Sequence, residues 1–291
     1  MKTLQNMRKI LITGGQGYIA RNLKPLFEQA GYIVDAPSHT EMDLLNFQIT
    51  SDYLIKSSPD VIIHVATKGG HRTQTDTWED VFIPNIKMFE HLSVVVQLRM
   101  KVRPQIIIIG SGAEFDRRLP IQDKLENTLQ LHWPIDPYGL SKNIIARRCT
   151  KDFDNIWLVR LFGCFNFDDD PSRFIKAGIL NLKRGLPIEV HQNKEMDYFY
   201  LDDVFTVMDY IIQEHPVPRD INLVYDIKTT LMDIVSLIHH CVGKFGPPVN
   251  LAHLGMCEPY TGSHELLYQL PIAKNFIGLE EGIRRTVQKL T

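Results

Sequence analysis

KILITGGQGYIA, residues 9–20, decides how this chain folds. Lys9 to Thr13 is a short run of aliphatic and β-branched residues, the composition of a buried strand. Three glycines follow within four positions, and beyond them Leu23, Leu26 and Phe27 recur at helical spacing. The pattern reads as strand, tight turn, helix. In that order the backbone N–H groups of the turn and the positive end of the helix dipole converge on one point, the arrangement that holds a pyrophosphate. Side chains at Gly14, Gly15 or Gly17 would block the approach, and Gln16, Tyr18 and Ile19 complete the loop around it.

Outward from this unit the alternation continues. Gly31 ends the helix, Tyr32 to Ala36 reads as a second strand, Asp60 to Ala66 (DVIIHVA) as a third and Ile106 to Gly110 as a fourth. Helical stretches separate them, notably Asn85 to Leu98 and the segment after Pro137. Strands alternating with helices imply right-handed crossovers and a parallel, doubly wound α/β sheet. After about residue 165 the pattern loosens, with a DDDPS loop (168–172) and the turns HPVPRD (215–220) and GPP (246–248). Two regions are expected: 1–165, carrying the pyrophosphate turn, and a smaller mixed α/β lobe, 166–291, some segments of which return to the first sheet.

Composition removes several classes of function. Lysine and arginine number 32 against 34 acidic residues, so no global positive field recruits nucleic acid or anionic lipid. The four cysteines, Cys149, Cys164, Cys241 and Cys257, form no CxxC pair, which argues against a structural zinc site or a disulfide framework. No metal site is expected. The apolar runs are too short to span a bilayer and the first residues lack a signal core, so a cytoplasmic protein is expected.

The chemistry is concentrated in two segments. Gly110-Ser111-Gly112-Ala113 places Ser111 just past the end of the fourth strand, where ligands approach an open α/β sheet. Asp136-Pro137-Tyr138-Gly139-Leu140-Ser141-Lys142 puts a tyrosine and a lysine four residues apart, on one helix face. A free tyrosine ionises near pH 10, too high for proton exchange at neutral pH, and a neighbouring ammonium stabilises the phenolate. Tyr138 thereby becomes a usable acid.

These residues resemble the extended short-chain dehydrogenase/reductase family: TGxxGxxG with Ala20 for the last glycine, PDVIIHVA (59–66), Asn85, DPYGLSK (136–142), VRLFG (159–163), DYFYLDDV (197–204), Asn222-Leu223-Val224 and GLEEGIRRTV (278–287). The resemblance implies a Rossmann-type domain, an NAD(P) cofactor and a nucleotide-sugar substrate. By it Ser111, Tyr138 and Lys142 are catalytic, Val65, Ala66 and Thr67 line the cofactor cleft, Asn85 supports the active-site helix, and Asp43-Leu44 meets the adenine. Alternatives are a plain helix N-cap for Asp43, a helix-start residue after Pro84 for Asn85, and ordinary solvated charges for Lys68, Arg173, Lys176 and Lys194. At the ribose, Ser38 beside His39 stands where an acidic residue would select the free 2′-hydroxyl, and Arg21 is near, so NADP(H) is favoured and NAD(H) stays open. Lys68, Gly69 and Gly70, with His71 following, form a loop at the site's mouth. Substrate contacts are expected from that loop, from Gly112 and Ala113, and from Asn166, Arg173, Lys176, Val190 and Lys194, the three cations standing in for a usual arginine that Met196 replaces.

Departures from the family narrow the reaction. Its dehydratases carry an Asp-Glu pair after the catalytic serine or threonine; here Gly112 and Ala113 carry no proton, and Glu114 falls one place late and should point away. Its GDP-fucose synthase branch epimerises with a cysteine and a histidine, whose places hold Ala113 and the Arg173-Phe174 region. The resemblance thus implies NADPH-dependent reduction of the C4 keto group of a nucleotide-linked (deoxy)sugar. The alternatives are a C4 epimerase with tightly bound NAD and, more distantly, a non-catalytic NAD(P)-binding sensor. A homodimer through the 85–98 and 138–150 helices is also implied.

Overall fold

The computed structural model describes residues 7–70, 75–214, 216–243 and 249–290. His71, His215 of the HPVPRD turn and the GPP turn at 246–248 lie outside the described residues. Lys9–Thr13 is a strand with Ile10, Leu11 and Ile12 fully buried. It pairs in parallel with Ile33–Asp35 on one side and Val61–His64 on the other, Leu11 standing between Asp35 and Ile62. Beyond Val61–His64 follow Gln105–Ser111, Ile156–Leu161 and Asp220–Leu223, completing a six-stranded parallel sheet. The fold is the expected Rossmann-type α/β. Near-continuous apolar runs such as Val61 to Ile63 and Ile106 to Ile108 suit strands covered on both faces.

Local chemistry sets where strands stop. The second shortens to Ile33–Asp35 because Pro37 lacks an N–H and restricts Ala36. The third ends at His64 because the next two amides, Val65 and Ala66, turn to the Thr13 hydroxyl.

The described residues divide into two compact units. One comprises Met1–Arg118, Asn127–Arg160 and Met208–Ile221; the other comprises Leu119–Glu126, Leu161–Val207 and Asn222–Thr291. The division follows the chain less simply than a cut at 165, because the 208–221 segment runs back to the sheet, where Leu158 donates its N–H to the Arg219 carbonyl at 2.7 Å. In the second unit, strand pairs such as Glu189–Asn193 with Asn250–Met256 accompany the helices Phe174–Lys183, Leu231–Val242 and Gly278–Lys289. Ile179, Ile188, Ile234, Ile238 and Ile283 form their shared core. Among the described residues no helix is long and apolar enough to cross a membrane.

Candidate active site

The sheet order reverses between Lys9–Thr13 and Val61–His64, and a crevice opens beyond the carboxyl ends of strands at such a point. The glycine turn stands there. Gly14 has φ +68°, and Gly15 donates its N–H to the Pro37 carbonyl at 3.2 Å. A Cβ on Gly15 would lie 2.6 Å from the Ala36 carbonyl carbon, and one on Gly14 would lie 3.0 Å from Ala66 Cα. These two glycines are therefore demanded first by the chain's own neighbours. Gly17 is different: a Cβ there would meet only the Gly14 oxygen, at 3.1 Å, and the residue is exposed. It caps the helix Tyr18–Gln29 with no side-chain hydrogen bond. An uncapped helix N-terminus behind a bare, exposed glycine fits a dinucleotide pyrophosphate. Gln16 lies exposed on the turn, Arg21 reaches back to the Gln16 carbonyl at 3.4 Å, and Ile19 is half-buried in the first helical turn.

Thr13 ties this turn to the next strand. Its Oγ1 accepts the N–H groups of Val65 and Ala66, each at 3.1 Å, and lies 2.9 Å from His64 Nδ1. With both lone pairs used, the hydroxyl donates to Nδ1, which places the imidazole proton on Nε2. Burial, aided by the Lys142 charge, pushes His64 down to about 3, so it is neutral.

Asn85 is 2% exposed and lies inside a continuous helical run, a π turn at Trp78–Phe82 leading into Ile83–Leu98, and does not start a helix. Its amide nitrogen donates to Ser141 Oγ at 3.1 Å and to the Lys68 carbonyl at 3.0 Å, while its Oδ1 accepts the Lys68 N–H at 2.8 Å. Thr67 Oγ1 stands 3.4 Å from the same oxygen. One buried amide thus pins the Thr67-Lys68 loop to the helix Pro137–Asp152. Further along the loop, Gly69 and Gly70 have φ +80° and +75°, and a Cβ on Gly70 would sit 3.0 Å from Tyr138 Cζ. Gly70 packs flat against the tyrosine ring.

Past the second strand, the Ser38 N–H and hydroxyl both donate to one oxygen of Glu41, at 2.7 and 2.6 Å, and these bonds lower Glu41 below the usual carboxylate range. His39 pairs with Asp43 at 3.3 Å. Asp43 accepts the Leu45 N–H, whereas the helix that follows, Phe47–Ser57, is capped by Asn46. Asp43 is therefore not an N-cap. Leu44 is buried, and the Asp35 carboxylate is occupied by Tyr53 Oη at 3.0 and 3.1 Å.

Ser111 ends the strand Gln105–Ser111, and its Oγ accepts the Ala113 N–H at 3.2 Å. Asp136 caps the Tyr138 helix through the Gly139 N–H and pairs with Arg117. A Cβ on Gly139 would come 2.6 Å from the Ala113 carbonyl, so the Ser111 turn and the helix start are in close contact. Lys142 is buried, donates to the Ile109 carbonyl at 3.1 Å and lies 5.9 Å from the Tyr138 ring centre. Burial lowers Lys142 to about 8, and the Glu114 charge pulls it back up. Glu114 does turn away from the site: it is fully buried, accepts the Ser111 N–H at 2.7 Å and binds the buried Arg160 at 2.6 Å, which also holds Asp220 at 2.9 Å.

A family model described as the NAD dependent epimerase/dehydratase family matches residues 10–223. The chain belongs to that family. It is an NAD(P)-dependent oxidoreductase of the extended short-chain type. It is similar to a GDP-L-colitose synthase of Yersinia pseudotuberculosis, 22% identical over 96% of this chain and 97% of that one. A GDP-L-fucose synthase of Azorhizobium caulinodans is 37% identical over 59 residues, 20% of this chain and 19% of that one. Among solved structures, a GDP-mannoheptose C4 reductase from Campylobacter jejuni with NADP bound superposes with TM-score 0.80 at 15% identity, covering 98% of this chain and 99% of that chain.

This family member has four residues at its site whose roles reading the sequence missed: His64, Glu114, expected only to point away, Arg160 and Glu41. The first and third had a signal, a polar residue inside an apolar strand run, which must be paired to be buried. Glu114 and Glu41 had none, since their roles come from turns that fold them back on Ser111 and Ser38. The expected substrate residues divide. Gly112 and Ala113 form the turn after Ser111 and are buried. In the second unit, Asn166 Oδ1 accepts the Asp168 N–H, Arg173 lies 3.9 Å from Asp169, and Lys176 donates to the Asp169 carbonyl at 2.6 Å. Lys194 lies 5.8 Å from the Tyr260 ring centre. Val190 is a correction: it is 2% exposed and packs in the core of that unit, so its side chain offers nothing to a ligand.

Proposed function

We propose that this protein reduces the C4 keto group of a nucleotide-linked (deoxy)sugar with NADPH. The observation that carries the reading is the pairing of Tyr138 with a buried lysine beside a serine whose following residues, Gly112 and Ala113, hold no acid or base. Bound at the Gly14–Gly17 turn, a reduced nicotinamide dinucleotide supplies the hydride. The Ser111 oxygen accepts from Ala113, which leaves its proton to be donated to the substrate carbonyl. Tyr138 delivers a proton to that oxygen, and the Lys142 cation stabilises the resulting phenolate. The C4 reductase activity of the Campylobacter jejuni structural neighbour and the NADP bound to it support this choice of reaction and cofactor. So does the dTDP-4-dehydrorhamnose reductase of Bacillus anthracis in complex with NADP, TM-score 0.77 at 16% identity over 97% of this chain and 99% of that one.

The rival reading is a C4 epimerase that keeps NAD bound. The Glu41 carboxylate on Ser38 is the observation on its side, because a negative charge at the ribose end disfavours a 2′-phosphate. Stoichiometric consumption of NADPH with 4-keto-6-deoxy nucleotide sugars separates the two. Replacing Tyr138 by Phe should lower kcat by at least about a hundredfold while NADPH still binds. Unchanged turnover in Y138F would sink the mechanism.

A further inference from the structure

We propose that Glu114 is a positioning residue for Ser111, a single carboxylate that holds the serine's turn by one oxygen and is itself anchored to Arg160 by the other. The proposal rests on the reductase reading, from which Ser111 takes its role. Oε1 accepts the Ser111 N–H at 2.7 Å, while Oε2 accepts Arg160 Nε–H at 2.6 Å. Glu114 and Arg160 are both fully buried, so the bond between them does not compete with solvent, while Ser111 is half-buried. Ser111 Oγ in turn accepts the Ala113 N–H, closing a reciprocal cap around the three residues after the strand. The backbone makes room for this reach, since a Cβ on Gly110 would meet Glu114 Oε1 at 2.5 Å.

Neutralising Arg160 does not by itself account for Glu114. Asp220 already opposes the guanidinium, at 2.9 and 3.2 Å. Burial pushes the Glu114 carboxyl up and the Arg160 charge pulls it back, and the Glu114 charge in turn favours protonation of the buried Lys142. The buried Cys149 thiol faces the same groups and is held neutral by burial and by the two carboxylates. Only a carboxylate meets the geometry. A glutamine has one acceptor oxygen, so its NH2 would face either the Ser111 N–H or Arg160 Nε–H, donor against donor.

Two variants test this, E114Q and the double variant E114L/R160M, which removes the Glu114–Arg160 pair together and leaves Asp220, whose side chain is 16% exposed, to solvent. In both, kcat for keto-sugar reduction should fall by about tenfold to a hundredfold, with the KM for NADPH changing less than about twofold. Amide hydrogen exchange in peptides covering 105–118 should quicken in the double variant at Ser111, relative to wild type. Unaltered exchange there, or a double variant whose kcat stays within about twofold of wild type, overturns the positioning role. Wild-type protein inactive on every keto sugar refutes the reductase reading instead, and the exchange at Ser111 then decides the positioning role alone.

Discussion

Lowering the pH from 7.5 to 5 should destabilise this protein through His64 before any surface carboxylate matters. Its imidazole is buried, its Nδ1 accepts the Thr13 hydroxyl, and protonation would put a second donor against that hydroxyl. The folded value is about 3 against 6.5 for an ordinary histidine. The depressed value means that the unfolded chain binds the proton first. The stability His64 contributes is therefore complete above about pH 6.5 and is lost progressively as the pH falls toward 3. At about 1.4 kcal/mol per pH unit, the loss reaches about 2 kcal/mol at pH 5. The assay is urea unfolding at a series of pH values, wild type against H64N, whose amide oxygen still accepts from Thr13 but does not titrate. The two curves should converge by about 2 kcal/mol between pH 7.5 and 5. Parallel curves over that range would show that His64 is hydrated or already charged, and would refute the account of the Thr13 hub.

Three further outcomes follow from the site. Gly15→Ala should cost about 2–4 kcal/mol in urea unfolding and weaken NADPH binding, because the new methyl drives Ala36 and Pro37 away from the turn; full stability with normal binding by fluorescence titration would contradict the packing. E41Q should raise the preference for NADPH over NADH severalfold, and by less than about tenfold because Glu41 is exposed and screened; an unchanged ratio of dissociation constants would place the ribose elsewhere. Since Lys142 titrates near 8, kcat/KM for keto-sugar reduction should fall about tenfold per unit at higher pH as its cation is lost, and a profile flat to about pH 9.5 would reject the role assigned to it.

The frame of the fold was legible because burial on both sheet faces writes itself as uninterrupted apolar runs, and because glycine and proline punctuate them. Lys9–Thr13 forms a strand with the expected bounds, and Tyr138 and Lys142 share the expected helix. A return of later segments to the first sheet was expected, but that residues 208–221 are the ones that return depends on pairing at a distance that no local pattern records. Within the site, Asn85 and the glycine turn could be picked out by residue type. Their reasons could not: Gly14 and Gly15 are fixed by contacts with Ala66 and Ala36, and Asn85 by bonds to Lys68 and Ser141. Glu114 was expected to point away, as it does, but its hold on Ser111 and Arg160 was not legible, nor was that of Glu41 on Ser38, because no local pattern records which backbone groups a turn brings to a side chain.

The Arg160–Asp220 contact joins residues sixty positions apart, at the ends of neighbouring strands. On the ribosome, Ser111, Tyr138 and Lys142 therefore all emerge well before the second carboxylate of the guanidinium behind them has been made. Until Asp220 arrives, that arginine has one of the two carboxylates that flank it, and a nascent chain halted at residue 165 would hold every group proposed for proton transfer while lacking one edge strand of the sheet that supports them. Completion of the site is thus timed to a segment that contributes no chemistry to it.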